Sequence, residues 1–315
     1  MCLNSSVINQ SLGLVYIDQA FLNLKGEYMK ILMTVKDLNV DLNNKKILNL
    51  NNRTIDIYIE DKIALIGKNG AGKTTLINCL LNEMNHSGVI DRKIGTKDIG
   101  IVFQENKYGD LIKVHELIYL ATTYSKRSKQ FKEFTKAFSL ENLINKFVND
   151  LSLGEQKRLT VGLVLSKQKK LYIFDELTSG LDYEKRQNLL HKTKEITQNK
   201  AVIKVTHYFD EVENWANKLI ILDKGELLYY GSIDQFFSKF YHYALIEIVN
   251  QELDYLVREV IKKINADVYF NVKVFTYNKE QMNEVINILN ERKIEFKINM
   301  QNIYSTYLIS TLEEI

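Results

Sequence analysis

The sequence predicts an α/β fold on a largely parallel sheet, followed by a small α+β domain. Three observations predict it. Short apolar runs of buried-strand type recur at 63–66, 100–103, 171–174, 201–205 and 219–222. Segments with helical spacing separate them, which is the alternation of a parallel sheet covered by helices. After Gly231 the pattern changes to shorter alternating elements.

The elements follow in chain order. Residues 1–28 carry no strong periodicity, and Met29 and Met33 precede a charged, alternating stretch. Ile55, Ile57 and Ile59 alternate with polar neighbours and read as an early strand. The run 63–66, after Asp61 and Lys62, is continuously apolar and ends at Gly67. Such a run suits a parallel strand, because both of its faces are buried. A helix is predicted over 74–81. No strand pattern lies between Glu105 and Asp150, and in 116–147 Leu, Phe and Ile recur at three and four, as in a helical insertion. A short helix should end near Phe240. Beyond it, 244–249, 267–276 and 295–300 read as strands, and 251–264 and 279–290 as amphipathic helices. The predicted division is an N-terminal extension (1–32), a main domain (33–240, helical subdomain at about 105–165) and a small α+β domain (241–315).

The 315 residues are 45% apolar and 26% charged, an ordinary globular composition sufficient for one large domain or two. A net charge of +3 gives no basis for nucleic-acid binding, and no nucleic-acid partner is expected. Cys2 and Cys79 cannot form a disulfide framework, and no secretory leader pattern opens the chain, so the cytosol is the expected compartment. Cys79, on an apolar helix, reads as a small core residue. Lys126, Arg127, Lys129, Lys132 and Lys136 read as a solvated helix face. Proline is absent, which carries no functional content.

Two motifs carry chemistry. Gly67-Lys68-Asn69-Gly70-Ala71-Gly72-Lys73-Thr74-Thr75 has the spacing of a phosphate loop and sits where a strand gives way to a helix. The glycines let successive backbone N–H groups turn toward phosphate oxygens, the helix N-terminus adds partial positive charge, Lys73 adds a full one, and the Thr74 hydroxyl suits Mg²⁺. The run 171–174 ends in Asp175 and Glu176 at a strand's carboxyl edge, where open α/β sheets bind ligands. Asp175 is expected at the Mg²⁺ shell, and Glu176 to orient or deprotonate an attacking water.

With these in place the chain resembles the ATP-binding cassette ATPases. Leu151-Ser152-Leu153-Gly154-Glu155-Gln156 looks like that family's signature, Ser179-Gly180-Leu181-Asp182 like its D-loop, Gln104 like its Q-loop glutamine and His207 like its switch histidine. The motifs stand in family order over roughly 33–232. The resemblance implies ATP and Mg²⁺, with Thr74, Gln104 and Asp175 about the metal, and Glu176, His207 and Gln104 as catalytic groups. It also implies a head-to-tail dimer, a homodimer being favoured because one chain holds every group. In it Ser152, Gly154 and Glu155 meet the nucleotide of the other copy, while the helical insertion docks a separately encoded membrane permease from the inner membrane face.

The small C-terminal domain resembles those of bacterial drug, bacteriocin and lipid exporter motors, so an export motor is expected. The alternative is a soluble assembly ATPase of the iron–sulfur scaffold class, without a membrane partner. Three positions depart from the family pattern: Leu42 stands where an aromatic ring usually meets adenine, Leu153 replaces a signature glycine, and Leu177 stands where proline is common. None removes a catalytic group. Residues 1–28 lie outside the resemblance and are expected to be dispensable.

Overall fold

The computed structural model describes residues 30–42, 45–106, 108–213 and 215–312, together with the backbone of three short strands before them. Those strands, β1 (Ile8–Asn9), β2 (Leu14–Ile17) and β3 (Ala20–Phe21), form a small antiparallel sheet. The side chains of 1–28, on which the expected dispensability turns, lie outside the described residues.

The main sheet is built from β4 (Ile31–Leu42), β5 (Lys45–Asn49), β6 (Thr54–Tyr58), β7 (Lys62–Ile66), β8 (Ser87–Arg92), β9 (Ile99–Val102), β10 (Leu171–Asp175), β11 (Ala201–Val205), β12 (Lys218–Asp223) and β13 (Glu226–Ser232). Its order is β6-β4-β5-β13-β12-β7-β11-β10-β9, with β8 on β4. From β12 to β9 every neighbour is parallel. The β4 end is antiparallel. Every residue of β10 and β11 is buried, as expected of central parallel strands.

Alternation along the strands divides the core. Ile63, Leu65, Leu171 and Ile173 pack with α1 (Lys73–Leu81), with Cys79 fully buried among them. Ala64 and Ile66 point to the other side, among α6 (Phe209–Glu213) and α7 (Ile233–Lys239). Tyr172 and Phe174 meet the helical insertion, which holds α2 (Val114–Thr122) and α3 (Lys129–Ala137) and is followed by α4 (Leu153–Leu165). The αL residue Thr123 ends α2, and Ser128 caps α3 through its hydroxyl to Phe131 N. Between β10 and β11 runs α5 (Tyr183–Ile196).

The C-terminal part is a four-stranded antiparallel sheet, ordered β15-β16-β14-β17, from β14 (Ala244–Ile248), β15 (Asp267–Tyr269), β16 (Lys273–Thr276) and β17 (Phe296–Met300). The single strand expected at 267–276 is a hairpin, because Phe270 and Asn271 take positive φ and turn the chain. α8 (Tyr255–Lys263) and α9 (Lys279–Glu291) cover one face through Val257, Ile261, Val285 and Leu289. Leu245 and Phe275 on the other face join the cluster of the main sheet that holds Ala64 and Ile66.

A last helix, α10 (Ile303–Leu312), had no counterpart in the sequence reading and packs at this junction. Phe209 meets Tyr304 and Tyr307 with ring centroids 5.5 Å apart, and Glu213 accepts from Ile303 N at 2.9 Å. Because Ile303 is fully buried, Ile303→Ala should destabilise the chain by about 2–5 kcal/mol in chemical denaturation, as truncations that leave a core cavity do. A change below 1 kcal/mol, by the roughly ±0.5 kcal/mol typical of surface positions, would show that α10 is not part of the folded unit.

Candidate nucleotide-binding and catalytic site

β7 delivers the chain into the glycine loop and α1 takes it away. Gly67 passes so close to β12 that a Cβ there would stand 2.4 Å from Leu222 O. Gly72, the N-cap of α1, has φ of 95°, a left-handed conformation open to glycine. Since Gly72 offers no side-chain cap and the first turn holds no acid, the α1 N-terminus is left available to an anion. Lys73 folds back over the loop, its Nζ donating to Gly67 O at 2.7 Å and Lys68 O at 2.9 Å. Burial lowers the pKa of its ammonium below the ordinary lysine value, opposed by Asp175 and Glu176. Asn69, Gly70 and Thr74 are exposed, Thr75 is half-buried, and Ala71 is buried.

Asp175 ends β10 and is 7% exposed. Burial first, then the neighbouring Glu176, raises its carboxyl above the ordinary range, while Lys73, Lys157 and His207 pull it back. Glu176 leaves the strand with φ of 50°, its N–H donating to Val205 O at 3.2 Å. That turn carries its carboxylate away from Asp175 to two partners from neighbouring strand ends. Gln104 Nε2, beyond β9, donates to Oε2 at 3.1 Å, and His207 Nε2, beyond β11, lies 2.9 Å from Oε1. Three residues far apart in sequence thus converge.

Ser152, Gly154 and Glu155 open α4. The Ser152 hydroxyl accepts from Glu155 N at 3.3 Å, and Glu155 Oε2 accepts from Ser152 N at 2.8 Å, a reciprocal capping box. Glu155 therefore serves its own helix. Gly154 lies against the 179–182 turn, where a Cβ would come 2.8 Å from Leu181. Asp182 caps α5, accepting from Lys185 N at 2.9 Å. Leu42, at the end of β4, is 48% exposed.

A buried charge beside Gln104 escaped the sequence reading. Lys157, 2% exposed, donates to Phe103 O at 3.3 Å and Gln104 O at 3.0 Å. One turn on, Thr160 hydrogen-bonds Tyr108, so α4 grips both ends of the loop that carries Gln104. The signal was present: Lys157, Val161 and Leu165 share one inward stripe, and a lysine there must be answered by buried acceptors.

The family described as ABC transporter matches residues 50–179. An energy-coupling factor transporter ATP-binding protein of Clostridium perfringens is 30% identical over 75% of this chain and 91% of its own length. A methionine import ATP-binding protein of Mannheimia succiniciproducens is 29% identical over 63% of this chain, which spans 64% of that relative. One of Clostridium tetani is 25% identical over 85% of this chain and 87% of its own length. The solved ATP-binding subunit of an ABC transporter shares the fold with a TM-score of 0.59 at 23% identity, covering 66% of this chain and 93% of that one.

Lys157→Met removes the ammonium while keeping most of the stem. It should destabilise the chain by about 1–3 kcal/mol, the range for stranding buried acceptors, and lower ATP turnover. Unchanged denaturation and unchanged turnover together would show that the two carbonyls find other donors.

Proposed function

The chain belongs to the ATP-binding subunits of ABC transporters, a family of ATP hydrolases, and on that premise we propose how this chain works. Two copies pair head to tail, each lending its Ser152 and Gly154 to the nucleotide on the other's phosphate loop, and hydrolysis drives a solute through separate membrane subunits. The observation that carries this reading is the convergence of Gln104, Glu176 and His207 at the carboxyl ends of β9, β10 and β11, with the phosphate loop following the adjacent β7. In support of the trans arrangement, Ser152 and Leu153 at the start of α4 are exposed to solvent.

The residues fit ATP and Mg²⁺. An uncapped helix N-terminus with Lys73 beside it suits polyphosphate, and a buried carboxylate held above its ordinary range by burial and a like charge suits a cation. Thr74, Asp175 and Gln104 would hold Mg²⁺, which when bound supplies charge neutralisation at the phosphate oxygens. Lys73 exchanges its carbonyl partners for phosphate. Glu176 accepts the proton of the attacking water once Gln104 and His207 release its carboxylate, and His207 becomes free to donate to the γ-phosphate. The helical insertion, tied to Gln104 through Lys157, transmits the change to the membrane partner.

The direction of transport departs from the export expected above. That expectation rested on the C-terminal domain, whereas the relatives whose names state a direction are importers, so uptake is favoured. A bacterial exporter with ATP bound shares the fold at 18% identity, covering 73% of this chain and 43% of that one with a TM-score of 0.59, and carries no weight on direction. None of these relatives supports the assembly-ATPase alternative. No helix among the described residues is long and apolar enough to cross a membrane.

Glu176→Gln should keep ATP binding and lose turnover about 10²–10⁴-fold, as loss of a general base does. An ATP-dependent dimer should then accumulate in gel filtration, and turnover at the native rate would remove Glu176 from the mechanism. Lys73→Ala should instead lose nucleotide affinity and form no such dimer. Because exposed Leu42 offers no aromatic face, GTP should compete with ATP within roughly tenfold, stacking being worth about 1 kcal/mol. A hundredfold preference for ATP would show that another group reads the base.

A further inference from the structure

Glu211, in α6, is a carboxylate with 1% of its side chain exposed, and four side chains donate to it. Thr178 Oγ1 and Arg186 Nε reach Oε1 at 2.8 and 2.6 Å. Thr206 Oγ1 reaches Oε2 at 3.4 Å, and Lys204 Nζ pairs with the same oxygen. The donors come from both sides of the catalytic edge. Thr178 follows Glu176 by two residues, and Thr206 immediately precedes His207. Arg186, on α5, also binds both oxygens of Asp210 at 3.1 Å and lies 3.8 Å over the ring of Tyr208, the residue after His207. Both neighbours of His207 are therefore tied to one cluster.

A buried carboxylate matched by two cations is a poor source of stability, since apolar residues of similar volume often do as well. It is, however, directional. Glu176 has a left-handed backbone, a conformation that persists only where the surroundings over-determine it. The Thr178 bond to Glu211 supplies such an anchor two residues further on.

We propose that Glu211 is a positioning residue for hydrolysis: it locks the segment after Glu176 to the segment around His207, so base and histidine keep one relative geometry. Displacement of the 179–182 turn is then carried to His207 through Thr178, Glu211 and Thr206. This rests on the reading of Glu176 as the base.

In the full chain, Glu211→Gln puts an amide N–H₂ where a carboxylate oxygen meets two donors. Its kcat should fall about tenfold or more while KM for ATP stays within about twofold, the pattern of an interaction needed in the transition state alone. Thr178→Val replaces the hydroxyl with a methyl, should remain folded because Arg186 still donates to Glu211 Oε1, and should lower kcat about threefold or more without changing KM. The pair Lys204→Met with Glu211→Met should recover thermal stability and leave kcat low. Native kcat in Thr178→Val or Glu211→Gln, or kcat that returns with stability in the double variant, would overturn the proposal. Should Glu211→Gln not fold, Thr178→Val decides alone. Should native chain and Glu176→Gln turn over ATP equally, the reading of the base fails instead.

Discussion

The catalytic edge depends on the turn that Glu176 makes as it leaves β10. Asp175 and Glu176 are adjacent acids, and continued in an extended strand they would point to opposite faces of the sheet. With φ of 50° at Glu176, Asp175 stays buried at the strand end while the Glu176 carboxylate reaches the ends of β9 and β11. A non-glycine residue held in such a conformation costs on the order of 1–3 kcal/mol, so the flanking strands must hold it. They do so through the Glu176 N–H on Val205 O, and Ser179 adds its own N–H and hydroxyl on Glu176 O.

From that turn the rest of the site follows. The parallel strands β7, β11, β10 and β9 align their carboxyl ends, so the glycine loop, His207, the two acids and Gln104 arrive along one edge, although the chain visits them in another order. α1 and α4 each present an N-terminus, but differently. That of α1 lacks a side-chain cap and suits phosphate within the chain, whereas that of α4 is capped by Ser152 and Glu155 and begins against the 179–182 turn. α4 also connects two parts of the site: its first turn carries Ser152 and Gly154, and its second, through Lys157, grips the backbone of Gln104. One helix therefore joins the residues proposed to meet a partner copy's nucleotide to Gln104.

Much of this was legible in the sequence. Continuous apolar runs such as 171–174 report strands buried on both faces, and the glycine spacing around Lys73 reports a phosphate loop whatever the surrounding fold. The elements that were missed have weak or ambiguous local patterns. β8 is mostly exposed and held by β4, so its residues show no apolar alternation. The helix α10 has no exposed residue, and Ser305, Thr306 and Ser310 are buried along with its apolar residues, so no one-sided apolar stripe marks it in the sequence. Lys157 and Glu211 were passed over for the opposite reason. Charged residues read as solvated by default, and although the stripe of Lys157 points inward, the carbonyls and hydroxyls that answer both charges come from distant segments, which the tertiary structure brings to them.

The central claim is that each site is completed by another copy of the chain. A direct test mixes two disabled chains, one carrying Lys73→Ala with its signature intact, the other carrying Ser152→Arg with its phosphate loop intact. Sites completed between copies predict that the mixture hydrolyses ATP although neither chain alone does, since each mixed dimer joins one sound phosphate loop to one sound signature. A mixture as inactive as its parts would contradict the claim.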